Sequence, residues 1–471
     1  MTRTETAPPA VDGAGRNRRR WLRPAVDTAL IVAGLLVFGF VLPHHIAADA
    51  QVRYANLLAV LDGQLPAGRY SLIGPLFATP LVLADRVAGD GRWCTELYNT
   101  LVFALGTVAL YGLLRRRVDG PLLRRFLLVL VAGSMFAAHV VHWNSEVFTA
   151  MTVAVGLTAV AVRRLAGAGW VNGAGWVNGA GWVAVVLGVA NTPASVVGLA
   201  LVTGKRMVER RRVRYALVLL AALGLVATEN WLRNGNPLNA GYGNDRALRT
   251  LMPYSGGKGF DYPFFFGLLS LLLSFGKGLL FFAPGLVLPV RRPLREIAVG
   301  PDTTLYRLYG WWLLFLTGLV LVYSPWYAWY GGYTWGPRFL LFASVPAALA
   351  IAVRLGDLAA ALWVRLLTLA ALALSVWVGI CGAVFLAAAF PDTCSVDSFA
   401  YEAFCHYTPE YSVLWYPFVA HLPVSPTGWL VIGYFAVVFG WLAAPLARSV
   451  AVDLAGPVRA GLAAARRGWR W

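Results

Sequence analysis

Apolar runs long enough to cross a bilayer recur along this chain, at residues 27–43, 97–114, 122–140, 147–162, 213–232, 303–323, 339–354, 364–388 and 428–446, with an interrupted run ending at 279–290. Such runs constrain the fold strongly, because in hydrocarbon every backbone N–H and C=O must be satisfied within a helix or a closed barrel. The predicted architecture is therefore all-α, a polytopic transmembrane bundle of about 10–12 spans. Composition agrees. Of 471 residues, 59% are hydrophobic and only 13% charged, with a mean hydropathy of +0.64.

A net charge of +18 would suggest nucleic acid in a soluble protein, so its distribution decides its meaning. Basic groups gather at alternate ends of the runs: Arg16 to Arg23, Arg115 to Arg117, Arg124 and Arg125, Arg163 and Arg164, Lys205 to Arg214, Arg291 to Arg295, and the tail through Arg470. Placing all of them inside satisfies the positive-inside rule without conflict, so a membrane and no nucleic acid is expected as partner. The predicted location is the plasma membrane, multi-pass, with both termini cytoplasmic and the first run a retained signal anchor.

The same topology divides the chain into a basic cytoplasmic segment (1–26), a transmembrane domain (27–447) with outward loops at 44–96, 233–262, 323–338 and 390–427, and a basic cytoplasmic tail (448–471) able to lie as an amphipathic helix on the inner leaflet. Within 167–182 the hexapeptide GAGWVN occurs twice and begins again, which suits close helix packing, and 182–203, with Pro193 midway, suits a hairpin that enters the membrane and returns. Cys394 and Cys405 share one outward loop, where a disulfide persists. Cys381 falls in a span, and Cys94 lies near the outer surface.

Polar chemistry concentrates at the outward ends. Directly after the first run, HHIAADAQVRYANLL (44–58) places Asp49 and Arg53 four apart on one helical face. This spacing fits an interfacial ion pair, or a carboxylate base with an arginine for an anionic leaving group. The corner HVVHWNSEVF supplies His142 and Glu146 on the same side. His44, His45, His142 and the two acids leave a divalent metal open, although no fixed motif is present and no other cofactor is indicated.

YSPWYAWYGGYTWGPRFLL (323–341) crowds aromatics, including Trp329 and Trp335, around two glycines and ends in Arg338. That pattern suits an interfacial belt, or a shaped loop where a sugar ring stacks. Lys277, one of three lysines in the chain, interrupts the run at SFGKG; with Arg338 it could hold a lipid phosphate.

Taken in order, an acid after the first span, RYA, GRYSLIGPL, a second outward acid and a late outward arginine, the sequence resembles the polytopic glycosyltransferases of the C-type fold, among them the protein O-mannosyltransferases and the lipid A aminoarabinose transferases. Asp49, Arg53, Tyr54 and Ala55 match the first-loop motif and Arg69 sits near its basic position, whereas Ala50 stands where a second acid is usual. ENWLRNGNPLNAGYG, which contains Tyr242, and LLSFGKGLLFFAPGL are similar to segments of the same class.

The resemblance implies transfer of a hexosyl or pentosyl unit from a polyprenyl-phosphate donor to a glycan, lipid or protein acceptor at the outer face. Asp49 would act as base and Glu146 would orient acceptor or metal. Arg53, Arg69, Lys277 and Arg338 would hold the donor phosphate, with Tyr54, His142, Tyr242, Trp329 and Trp335 contacting substrate. The competing readings are a transporter or lipid-linked-sugar flippase, which predicts ionisable residues at mid-depth, and a non-catalytic envelope assembly protein.

Overall fold

A computed structural model describes residues 13–89, 91–162, 174–243, 245–246, 248–300, 303–332, 334–386 and 391–468. The first copy of the hexapeptide repeat, the extreme termini and Phe390 lie outside these residues.

Helices make up most of the described residues, with almost no strand. In order run α1 (Gly13–Leu36), α2 (Asp49–Leu61), α3 (Thr79–Ala88), α4 (Tyr98–Leu114), α5 (Gly120–Ala132), α6 (Ser145–Ala161), α7 (Ala174–Asn191), α8 (Val196–Arg210), α9 (Ala216–Asn234), α10 (Phe264–Leu273), α11 (Leu305–Tyr323), α12 (Ser344–Leu355), α13 (Leu362–Val384), α14 (Glu402–Tyr407) and α15 (Pro426–Gly468). A two-stranded ribbon, Ala298–Gly300 with Thr303–Thr304, precedes α11.

Six helical segments among the described residues are long and apolar enough to cross a membrane: Leu22–Val41, Val213–Asn234, Leu305–Tyr323, Arg338–Leu355, Leu362–Val384 and Pro426–Ala455. Two expected runs form shorter apolar helices, Tyr98–Leu114 and Ser145–Ala161; Asn178–Asn191 is a further short apolar helix, and the interrupted run ending at 279–290 consists of Phe264–Leu273 followed by short turns at Leu279–Phe282 and Pro284–Val287.

The run at 122–140 is not one continuous helix. It stops at Ala132, and a separate turn follows at Phe136–His139, with Ser134 Oγ capping the Phe136 N–H at 3.2 Å. Residues 182–203 fold as the end of α7, a turn at Pro193–Ser195 and the start of α8. The last helix continues unbroken through residue 447.

Small residues explain how short helices pack closely without a hydrophobic driving force between them. Gly156 on α6 faces the Gly181 backbone on α7, and Gly198 on α8 faces Gly318 on α11, so that a Cβ at any of these would strike the partner's main chain. One large apolar core fills the bundle. A second cluster, including Ile46, Leu57, Ile73, Val82, Tyr98 and Trp143, lies beneath α2 and α3 and seats these non-spanning helices at one end. That end carries the polar constellation.

Candidate functional site

Asp49 opens α2 immediately after Ala48, whose φ of 50° lies in the left-handed region that a Cβ disfavours. The N-terminal turn of α2 thus enters at a sharp angle and turns the carboxylate inward. Tyr70 Oη donates to Asp49 Oδ1 at 2.5 Å, and Arg338 Nη2 donates to Oδ2 at 2.9 Å. Arg338 comes from the opening turn of a span 289 positions away, and its Nε lies 3.7 Å from Glu146 Oε1 at the start of α6. One guanidinium therefore bridges both acids.

The i, i+4 pair does not form. Arg53 instead turns toward α6, where Nη2 donates to Ser145 Oγ at 3.3 Å, and its guanidinium lies 4.5 Å from the Tyr70 ring centroid. Arg53 is buried, and its Nε and Nη1 have no hydrogen-bond partner. Arg69 donates to Tyr70 Oη at 2.7 Å, pairs with Asp245 and stands over the Tyr242 ring at 5.7 Å. Three arginines, three acids and a tyrosine hydroxyl share this patch.

Electrostatics set the protonation states. Burial works to raise the Asp49 pKa, but the Arg338 charge and the Tyr70 and Arg338 hydrogen bonds outweigh it, holding the carboxyl below its ordinary 3.8. Tyr70 is pushed up to about 12 by burial and by the neighbouring Asp49, against the pull of Arg69. At neutral pH, then, Asp49 is an ionised acceptor and Tyr70 a protonated donor.

Surrounding elements fix the segment that carries Arg69 and Tyr70. From α9, Glu229 accepts from Ser71 Oγ at 3.0 Å and from the Leu72 N–H, while Arg233 Nη1 donates to the Gly68 carbonyl at 2.8 Å. Asn191, ending α7, ties two segments together: its Oδ1 accepts from the Gly74 N–H at 2.9 Å and its Nδ2 donates to the Ser145 carbonyl at 2.9 Å.

Several predicted contacts lie elsewhere. Lys277 is fully buried, and its ammonium donates to the carbonyls of Gly332, Thr334 and Gly336, so it braces the glycine-rich loop leading into Arg338 rather than presenting a free charge to a phosphate. Trp329 and Trp335 are buried. Trp329 packs among Tyr262, Tyr330, His406 and Tyr407, and Trp335 packs against His139 and Phe282, which leaves neither indole face open for a ring to stack on.

Tyr54 lies edge-on to Trp143 at 5.9 Å, in the second apolar cluster. His142 faces His45, with ring centroids 6.3 Å apart, and its carbonyl accepts from Asn99. Among the described residues no three His, Cys, Asp or Glu side chains converge as a metal site requires. Cys394 and Cys405 form a disulfide.

Sequence reasoning gave Tyr70 and Asp245 no role, and read Ser145 only as a helix-start residue and Glu229 only as an acid near an outer end. Tyr70 had a signal, since an Arg-Tyr-Ser triplet inside an otherwise apolar loop stretch asks for polar partners. Asp245 had none.

Fold and site together define a multi-pass all-α membrane protein with an ionised carboxylate and clustered guanidiniums at one end of its bundle. The sequence matches no protein-family profile and no curated protein. Among solved structures it is similar to ArnT from Cupriavidus metallidurans bound to undecaprenyl phosphate, at 15% identity over 92% of this chain and 78% of that one, with a TM-score of 0.48. The apo state of that protein is similar at 13% identity over the same shares, with a TM-score of 0.46.

Proposed function

We propose that this protein is an integral membrane glycosyltransferase that moves a sugar from a polyprenyl-phosphate carrier to an envelope acceptor, with Asp49 facing the extracytoplasmic side and both termini cytoplasmic. The observation that carries the reading is the seating of Asp49 between Tyr70 and Arg338, beside the unsatisfied donors of Arg53. Buried N–H groups without acceptors are costly, and phosphate oxygens match a guanidinium in charge and spacing.

In the reaction, the Asp49 carboxylate takes the proton of an acceptor hydroxyl as its oxygen bonds to the anomeric carbon from the face opposite the phosphate. The anomeric carbon–oxygen bond to the carrier breaks, and its electron pair leaves with the phosphate. Arg53, Arg69 and Arg338 offset the charge that develops there. The configuration inverts. The Asp49 side chain is 27% exposed and Glu146 only 8%, so Asp49 is the acid an acceptor can reach, while Glu146 positions Arg338 from behind.

The test compares envelope glycans and glycolipids by mass spectrometry in a deletion strain carrying wild type or Asp49→Asn at matched protein level. Loss of one sugar on deletion, restored by wild type and not by the variant, is expected. Restoration by Asp49→Asn would remove the catalytic reading and favour a transporter or an assembly protein.

A further inference from the structure

At the end of the bundle opposite Asp49, a cavity of about 290 Å³ opens between α1, α5, the end of α12 and α15, lined by Arg23, Asp27, Arg124, Arg125, Gly356 and Trp441 among others. The 18-residue span Arg338–Leu355 separates the two ends by about 27 Å of helical rise.

Three guanidiniums here face one carboxylate, and that carboxylate is already committed. Asp27 accepts from Arg124 Nε at 3.1 Å and from Trp441 Nε1 at 2.7 Å. Arg125 is half-buried, makes no hydrogen bond or ion pair with any described residue, and lies so close over Gly356 that a Cβ there would strike its Nη1. Arg23 lies 5.9 Å from the Trp441 ring centroid and, among the described residues, is paired with no acid. Arginines at a membrane edge ordinarily extend into water. Here Arg23 is exposed at the edge of a helix-walled cavity and Arg125 is half-buried in its wall, where Asp27 and Asp119 attract Arg125 from a distance without forming a direct ion pair with it.

The cavity's shape narrows the choice of anion. Pro24 lines it and also begins an open, apolar face of α1 that runs past Ala29, Val32 and Leu36. A ligand that fills both has a charged head and a hydrocarbon tail, and basic pockets between membrane helices bind such headgroups. We infer that this cavity binds the phosphodiester headgroup of an anionic phospholipid, with an acyl chain laid along α1.

The full-length protein is equilibrated in mixed micelles containing equal phosphatidylglycerol and phosphatidylcholine, and retained lipid is counted by native mass spectrometry. Wild type should keep one phosphatidylglycerol in preference to phosphatidylcholine by at least about tenfold, a difference of about 1.4 kcal/mol. The double variant Arg23→Ala/Arg125→Ala should lose that preference and Arg125→Lys should keep part of it. Arg116→Ala, which removes an exposed charge near the start of α5 and outside the cavity lining, should leave it intact. Unfolding temperatures of all variants confirm that each is folded before lipid is counted. Equal retention of the two lipids by wild type, equal loss in Arg116→Ala, or displacement of the lipid by millimolar inorganic phosphate overturns the inference; the last would mark a site for soluble anions.

Discussion

Asp49 and Arg338 form the pair on which the chemistry turns, and each tunes the other. Because the cation holds the Asp49 pKa below 3.8, stability from this pair is present above the ordinary carboxylate range and is lost only as pH falls through the depressed folded value. The acid limb of the transfer rate should accordingly lie below about pH 4. Arg338→Gln removes the largest lowering influence and leaves burial, the largest influence overall, opposed only by the Tyr70 hydrogen bond and the Arg53 charge. Its acid limb should move upward past that of wild type, and a limb that stays in place would show that Asp49 does not titrate in the rate. Ala48 supplies a separate test. Its φ of 50° costs of order 1 kcal/mol or more for a residue with a Cβ, so Ala48→Gly should raise the unfolding temperature measurably without removing any contact.

At the scale of elements, the site depends on loops that hold one another. The loop before Arg338 is braced by Lys277, whose electrostatic counterpart is Glu402 on α14, with the Tyr330 hydroxyl beside it. Neighbouring backbones interlock as well: Gly276 N–H donates to the His406 carbonyl at 2.9 Å, Leu251 to Ala400 at 3.0 Å and Tyr262 to Pro325 at 3.1 Å. Lys277→Met strands the Glu402 carboxylate and three loop carbonyls in the interior, a loss of about 3–5 kcal/mol for breaking a buried pair from one side. In thermal unfolding, the double variant Lys277→Met/Glu402→Gln should recover part of that loss. No recovery would mean that the two residues act independently.

Across the whole molecule, ionisable groups sort to the two ends. The acids and arginines of the candidate site occupy one end, and pairs such as Asp27 with Arg124 and Arg365 with Asp453 occupy the other. A transporter would instead place charges at mid-depth. The Cys394–Cys405 disulfide closes a short loop in the segment that carries α14, and the chain-entropy relation for a loop of this size gives about 3 kcal/mol. Cys394→Ser/Cys405→Ser should therefore lower the unfolding temperature. A reductant that lowers wild type to the level of the double variant, and leaves the variant unchanged, would confirm the source.

Most of the spans, the clustering of polar groups at their ends and the candidacy of Asp49, Arg53, Arg69, Glu146 and Arg338 were legible in the sequence, because hydropathy and charge are local properties that a run of twenty residues displays whole; the break after Ala132 was not. Partnership was not. Asp49 and Arg338 are 289 positions apart, and the nearer Arg53, with ideal helical spacing, turns away to Ser145. Lys277 reads as a costly free charge until folding brings three loop carbonyls to it, and Trp329 and Trp335 read as exposed platforms until neighbouring rings cover them. Residue type and membrane position follow from transfer free energies that each segment carries alone. Which donor meets which acceptor follows only from how the helices pack, since that choice is made by geometry between distant segments.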